Sequence, residues 1–409
     1  MTDTRPKRIA LLVETSHGSG RDIVHGVAAY LRERGCDWVV DHETQRLETD
    51  PPGWLAHWRG DGVIARLHSQ RVARAVRKLR VPVIDVLEGL EPMADVHLVH
   101  VDDVAISRMA CDHVRGLGLR HVCYVGPAGR VWAAKRRDGF VAAAAAAGLG
   151  VDVFEFSRHI ALNEPMSDRA ARLVKWLGRQ PRPFGVMGAT DAYAWLAAMA
   201  APAAGLAVPA DMAIVGVDND DVFCSLARPP ITSVVTNNVG LGFEAAALLD
   251  RLLAAGPRPV NRQEIAITPL GINQRGSSDT VATDDREVAS ALALIRGRGT
   301  DRLSVNDVAE AVGLAPSTLQ RRFRAAVGHG VHEEFMRQRV KIASRLLAET
   351  DLTLLAVAHR AGFGHQEYLG RVFRSRLGIT PAEYRRTARR HAPAAFERLD
   401  GPHPAPPRD

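Results

Sequence analysis

The sequence predicts a two-lobed α/β domain followed by an all-helical domain with two helix-turn-helix motifs. Three observations carry that expectation. From residue 8 to about 275, short apolar strands alternate with amphipathic helices. From Glu287 onward strand patterns vanish and helical periodicity takes over. Within that second part, the run AGFGHQEYLGRVFRSRLGITPAEYR (361–385) has a looser copy upstream, VGLAPSTLQRRFRAAVG (312–328).

The strands read Ile9–Val13, Trp38–Asp41, Gly62–Ala65, Val81–Val86, His97–Val101, Val122–Val125, Val151–Phe156, Gly185–Gly188 and Ala213–Val217. Helical stretches separate them: Asp22–Arg34, Ala105–Gly116, Ala133–Ala147, Asp168–Leu177, Ala192–Ala201 and Gly240–Ala254. Such alternation argues for parallel sheets. Nine or so strands are enough for two sheets, hence two lobes with a cleft. Ligands in such folds sit past the carboxyl ends of the strands. We therefore place a sensor domain at 1–275, a polar linker at 276–286, a DNA-binding domain at 287–389 and a Pro-rich, disordered tail at 390–409.

Charge supports the division. Residues 287–390 hold 18 Lys and Arg against 10 Asp and Glu, a net of +8 in a chain whose total is +7. The rest is about neutral. Basic charge confined to one segment is the footprint expected for phosphate. The four cysteines (Cys36, Cys111, Cys123 and Cys224) form no metal or disulfide pattern, so reduced, packed thiols are expected. The first apolar run is too short for a signal-peptide core, and no stretch approaches the ~18 apolar residues of a membrane helix. No membrane association, cofactor or metal is expected, and the expected location is the cytoplasm.

In the first helical unit, residues 305, 308, 309 and 312 form an apolar stripe and Gly313 supplies the turn. Pro316 can begin the next helix, with Leu319 and Phe323 facing inward. Ser317, Thr318, Gln320, Arg321 and Arg324 remain on the other side. The second unit repeats this. Leu352–Ala361 is followed by a turn at 362–364 and a helix His365–Arg376. Tyr368, Leu369, Val372 and Phe373 face in; His365, Gln366, Arg371 and Arg374 face out. In a helix-turn-helix the exposed side enters the major groove of double-stranded DNA. Arg can read guanine and Gln adenine. Arg339 and Lys341, on the helix joining the units, are candidates for phosphate contact.

Residues ~287–387 resemble the DNA-binding domain of the AraC/XylS family, on the motifs GFxxQxYxxRVFR and GITPAEYR. The resemblance implies two reading helices docking in successive major grooves, ~34 Å apart. Gly370 departs from the pattern, because serine is common there.

The sensor segment holds polar residues at strand ends. Arg21 and Asp22 begin the helix after the first strand. RRDGF (136–140), ATDA (189–192) and VDNDD (217–221) follow later strands. Carboxylates, an Arg donor and an aromatic face such as Trp132 form the mixture a polyol needs. Each Asp also fits the role of a helix cap, and Trp132 fits core or cleft.

Residues ~8–275 resemble the effector domain of the LacI/GalR family, which has a periplasmic-binding-protein-like fold. The matching pieces are DGVI (61–64), VDD (101–103), GLGLRHVCYVG (116–126), RRDGF, ATD, VPADMAIVGVD (208–218) and PITSV (230–234). The resemblance implies that Arg136, Asp191 and Asp218 hold sugar hydroxyls. RIALL (8–12), RDIVHGV (21–27), WAxxR (132–136) and GVDN (216–219) are similar to the xylose-operon regulator family, Asn219 included. That likeness implies D-xylose as effector, with another pentose or hexose left open, and a homodimer that activates transcription, possible contact with RNA polymerase included. A repressor is the alternative sign. An α/β sugar-converting enzyme on a DNA tether is the other class, but GxSxG, metal-spaced histidines and dinucleotide fingerprints are absent from the sequence.

Overall fold

The structure, a computed structural model, describes residues 5–43, 50–156, 166–256, 261–279, 285–297, 303–327, 329–377 and 379–390. The tail expected at 390–409 lies outside them from residue 391. The chain divides into two compact units, Met1–Ala282 and Thr283–Asp409.

In the first unit the elements run β1 (Lys7–Leu12), α1 (Gly18–Arg34), β2 (Trp38–Glu43), β3 (Gly62–Ala65), α2 (Gln70–Arg77), β4 (Val83–Asp85), β5 (His97–Val101), α3 (Asp103–Gly116), β6 (His121–Pro127), α4 (Val131–Ala146), β7 (Gly150–Phe156), α5 (Met166–Leu177), β8 (Phe184–Gly188), α6 (Asp191–Ala200), β9 (Met212–Val217), α7 (Asp221–Leu226), β10 (Thr232–Val235), α8 (Asn238–Ala255), β11 (Glu264–Ile267) and β12 (Gly271–Asn273). Two six-stranded sheets result. The first has the order β11-β5-β4-β3-β1-β2 and the second β12-β10-β9-β8-β6-β7. Every pairing is parallel except β10 with β12.

Both faces of each sheet are buried, as parallel sheets require. The strand period of two distributes side chains between them. Ile9, Leu11 and Val13 enter the core under α1 and α8. Ala10 and Leu12 enter the core under α2. In the second sheet Cys123 and Val125 face one core, while Val122 and Tyr124 face the other. Helices α1 and α8 touch backbone to backbone. A Cβ at Gly26 would lie 2.0 Å from Val239 O, and one at Gly242 2.0 Å from Ile23 O.

The chain passes between the sheets three times: after β5, after β10, and between β11 and β12. The sequence reading lacked β10, β11 and β12. They are three to four residues long, too short to display a period.

The linker expected at 276–286 needs correction. Residues 276–278 form a 3-10 turn within the first unit, with Ser277 and Ser278 fully buried. Ser277 Oγ donates to Ile214 O at 2.7 Å and accepts from Thr232 N at 2.8 Å. Asp285 belongs to the second unit, where it accepts from Arg322.

That unit is helical among its described residues: α9 (Arg286–Gly297), α10 (Val305–Ala311), α11 (Pro316–Val327), α12 (Val331–Glu349), α13 (Leu354–Arg360), α14 (Gln366–Leu377) and α15 (Pro381–Arg390).

Candidate functional site: an interlobe cleft and a pair of exposed helices

Between the two sheets lies a cavity of about 450 Å³, within the range of small-molecule sites. The first lobe supplies Glu14 and Arg66, just past the ends of β1 and β3, with His17, Ser19 and His68. The second supplies Trp132, Arg136, Asp191, Asp218 and Asp220, with an aromatic group from α6, α7 and β7.

Arg136 is 4% exposed and held from three sides. Its Nε donates to Asp103 Oδ1 at 2.7 Å, and its Nη1 to Ala189 O at 2.6 Å. The guanidinium lies 5.0 Å from the centroid of the Trp132 ring. Its Nη2 is 4.0 Å from Asp218 Oδ1. Burial alone would lower the Arg136 pKa, but Asp103 and Asp218 reverse the sign and raise it. The group is a fixed cation with one edge toward Asp218.

Glu14 is 3% exposed and accepts from Arg66 Nη1 at 3.0 Å, with His68 Nε2 at 3.3 Å. Burial pushes its pKa up. The His68 hydrogen bond and the Arg66 and His68 charges outweigh that and hold the carboxyl at about 2.

Contacts also join the lobes directly. Asp220 Oδ2 accepts from the backbone N–H of Gly18 at 2.9 Å, at the start of α1. A carboxylate suits the positive end of that helix. Arg130 Nη1 donates to His68 O at 3.3 Å, and Lys135 pairs with Glu88.

Glu88, His100 and Asp103 bring ligand-type atoms within 4.8 Å of one another. Their carboxylates already face cations, Lys135 and Arg136. Glu88 Oε2 is also 3.2 Å from His100 Nδ1. The cluster is an ion-pair network beside the crossing after β5.

Of the seven expected ligand residues, Trp132, Arg136, Asp191 and Asp218 line the cavity. Asp191 is nevertheless occupied. Its Oδ1 accepts from Ser233 Oγ at 2.6 Å and its Oδ2 from Asp220 N at 2.7 Å. Burial first, and the Asp218 charge second, push its pKa well up. Its main contacts organise the loop after β9.

Arg21, Asp22 and Asn219 are not part of the cavity wall. Arg21 is exposed and donates to Thr15 O and Ser16 O, bracing the loop before α1. Asp22 is half-buried on α1, and burial raises its pKa. Asn219 Oδ1 accepts from Arg275 at 2.8 Å and from Asn273 at 3.2 Å, so it ties the loop after β9 to the end of β12 and the residues after it. Asp218 and Asn219 have φ of 100° and 56°, which turns consecutive side chains apart.

Sequence reasoning did not assign Glu14 or Arg66 to the cleft, and it held Asp220 only as part of the VDNDD run. The strand-end rule points to Glu14 and Arg66. The contact of Asp220 with Gly18 becomes evident only when the lobes meet, while Asp103 lies behind the wall and braces Arg136 within the second lobe.

The second unit presents its expected face. Ser304 and Asp307 close a capping box at α10: Asp307 N to Ser304 Oγ is 3.2 Å, and Ser304 N to Asp307 Oδ2 is 2.7 Å. On α11, Leu319 and Phe323 are fully buried. Ser317, Gln320, Arg321 and Arg324 are exposed, and Thr318 is half-buried. Gly313 and Gly362, with φ of 69° and 78°, make the two turns. On α14, Leu369, Val372 and Phe373 are buried, while Gln366, Arg371 and Arg374 are exposed, as is His365 just before the helix.

Tyr368 does not face in as expected. It is 36% exposed, edge-on to Phe363 at 5.8 Å and 6.0 Å from the Arg371 guanidinium. Arg339 is half-buried and packs against the Gly362 turn. Arg376 donates to both carboxylate oxygens of Glu333, at 2.7 and 2.6 Å, tying α14 to α12.

Comparison with known proteins agrees with both units. The XylR N-terminal domain family matches residues 8–104, the periplasmic binding protein-like domain family 111–278, and a helix-turn-helix domain family 308–387. The chain is 28% identical over 392 residues to the xylose operon regulatory protein of Escherichia coli strain K12, covering 93% of this chain and 97% of that protein. It is 30% identical over 251 residues to the transcriptional regulator CelR of Thermobifida fusca, covering 58% of this chain and 71% of that protein. A solved structure of the xylose-binding transcription activator XylR aligns with a TM-score of 0.69 and 28% identity, over 94% of this chain and 99% of that one. Two sheets around a polar cleft, followed by paired helix-turn-helix modules, are thus a shared architecture, and the chain belongs to the xylose-operon-regulator type of transcription regulators, with a periplasmic-binding-protein-like sensor domain and an AraC-type DNA-binding domain.

Proposed function

We propose that this protein activates sugar-catabolic genes in response to a pyranose of the D-xylose class bound in the interlobe cleft. The observation that carries the reading is Arg136. It is pre-held by Asp103 and Ala189, lies against Trp132, and has Asp218 at 4.0 Å. A guanidinium donates to a hydroxyl, a carboxylate accepts from its neighbour, and the indole covers a C–H face. The names of the relatives, a xylose operon regulator and a xylose-binding activator, favour D-xylose among pentoses.

Sugar bridging Glu14 and Arg66 to Arg136 and Asp218 stabilises the closed lobes. In a homodimer, closure changes how one DNA-binding unit is presented relative to its partner's. The expected sites of contact are Ser317, Thr318, Gln320, Arg321 and Arg324 on the first reading helix, and His365, Gln366, Arg371 and Arg374 on the second. Activation follows if a bound unit meets RNA polymerase. The cleft is a sensor, not a catalytic centre, and the protein works in the cytoplasm beside its DNA. Titration of labelled operator with full-length protein, with and without D-xylose, tests the reading. Affinity and footprint unchanged by every pentose tried would refute it.

A further inference from the structure

We propose that Glu88 and Lys135 are positioning residues of the switch: a latch across the lobes that sets how far the closed cleft is favoured before sugar arrives. The inference rests on the sugar-sensor reading above and adds the residues that set its threshold.

The latch joins two firm supports. Glu88 follows β4 in the first lobe and is 3% exposed. Its loop is fixed to that lobe, because Asp85 Oδ1 accepts from Leu67 N and Leu87 N, each at 3.1 Å. A Cβ at the next residue, Gly89, would lie 2.5 Å from Leu67 O. Glu88 itself has a φ of 58°. A non-glycine residue holds that conformation where its surroundings impose it, and such residues gather at clamps and switches. Lys135, on α4 of the second lobe, pairs with Glu88 Oε1. Neither residue is part of the cavity wall.

Helix α4 couples the latch to the ligand site. Trp132 and Arg136 line the cavity, and Lys135 stands between them in the chain. Just before the helix, Arg130 Nη1 donates to His68 O of the first lobe. The helix that presents the ligand-facing cation is thus also the element that the first lobe grips.

Charge ties the latch to the closed state. Ligand-type atoms of Glu88, His100 and Asp103 lie within 4.8 Å of one another. Two carboxylates from opposite lobes therefore approach there. Successive residues of α4 neutralise them: Arg136 takes Asp103 of its own lobe, and Lys135 takes Glu88 of the other. Glu88 Oε2 faces His100 Nδ1 at 3.2 Å, and neither atom has a hydrogen-bond partner among the described residues. Lys135 thus supplies the charge that lets Glu88 be buried. Without it, closure sets Glu88 against Asp103 as like charges.

The test uses full-length protein and two readouts. Calorimetry gives the D-xylose affinity. Spin labels at Glu33→Cys on α1 and Arg179→Cys after α5, both exposed, give the separation of the lobes. Lys135→Met should weaken D-xylose by about tenfold, because the closed fraction falls, and should lengthen the sugar-free separation. Glu88→Gln removes the like-charge conflict together with the latch, so its loss should be smaller, about threefold. The double variant should resemble Glu88→Gln, not the product of the two losses. Lys135→Arg keeps the cation and should keep both readouts near those of the unaltered protein. Multiplied losses in the double variant, or separations that none of the variants changes, overturn the latch and leave the sugar sensor standing. Failure of D-xylose and every other pentose to bind overturns the sensor reading, and the sugar-free separations still decide the latch.

Discussion

Arg136 and Asp103 form an ion pair of 2.7 Å in which neither side chain is more than 5% exposed. Asp103 opens α3, immediately after the chain crosses between lobes, and Arg136 lies on α4 in the cleft wall. The pair therefore links the ligand-facing cation to a crossing. Ser107 Oγ reinforces it, 2.8 Å from Asp103 O and 2.7 Å from Arg136 O.

Removing one partner of a buried pair leaves an uncompensated charge, so Asp103→Ala should cost about 3–5 kcal/mol of stability. It should also weaken sugar binding, because Arg136 loses the brace that aims it. Asp103→Asn keeps an acceptor and should lose less. Urea unfolding with titration of each variant decides. A loss under ~1 kcal/mol would mean that the pair behaves like a solvated surface bridge.

Two carboxyls of the first lobe give opposite pH dependences. Glu14 is held at about 2, below its unfolded value of ~4.3. Its contribution, roughly 3 kcal/mol, is present above the unfolded pKa and lost as pH falls toward 2. Asp85 is raised to about 7 by burial, against opposing hydrogen bonds from Leu67 N and Leu87 N. Its contribution is complete below ~3.9 and lost as pH rises through 7. Glu14→Gln should therefore flatten the acid limb of the stability profile, and Asp85→Asn the neutral one. Melting curves from pH 3 to 9 separate them; identical profiles for both variants would contradict the assignments.

Adjacent arginines on α11 should behave differently. Arg321 is exposed on the face proposed to enter the major groove, so Arg321→Ala should weaken operator binding by roughly 10–100-fold and relax one base position. Arg371→Ala on α14 should act alike at its own half-site. Arg322 instead donates to Asp285 at 2.6 Å and Glu287 at 2.7 Å, binding the start of α9 to α11. Arg322→Ala should reduce the melting temperature of the helical unit and leave base preference unchanged. Fluorescence anisotropy on wild-type and mismatched operators at fixed salt tests all three. Equal loss of discrimination in Arg321→Ala and Arg322→Ala would reverse the assignment of helix faces.

Gly370 lies inside α14, and a Cβ added there meets nothing within 4 Å. Gly370→Ala should stabilise the unit by roughly 0.5–1 kcal/mol, because a helical glycine loses more backbone entropy than alanine. Gly370→Ser should gain less stability and add a donor for phosphate, detectable as tighter, salt-sensitive DNA binding. A lower melting temperature for Gly370→Ala would point to a contact that the helix does not display.

The helical unit was almost fully legible in sequence because its signals are local. Leu319 and Phe323, or Leu369 and Phe373, sit four residues apart and declare one face. Tyr368 was misread because an aromatic at an apolar position can lie edge-on at the rim. The cleft was legible only in part. Strand-end position pointed to Arg136, Asp191 and Asp218 and left Trp132 between core and cleft, but could not say which way each side chain is spent. Asp191 is consumed by Ser233, forty-two residues away, and Asn219 by Arg275, fifty-six away.

By itself, the sequence determined two α/β lobes, two helix-turn-helix modules and the exposed basic face of α11 and of α14. These follow from periodicity, turn residues and charge within windows of about twenty residues. Only the tertiary structure decided which polar groups remain free in the cleft. That choice depends on hydrogen bonds between distant segments: Asp220 to Gly18 across the lobes, Asp103 to Arg136 beside a crossing, and Ser277 buried where a linker was expected. A buried donor or acceptor must be satisfied by whatever the fold brings beside it, and that partner is set by topology rather than by neighbours in the chain.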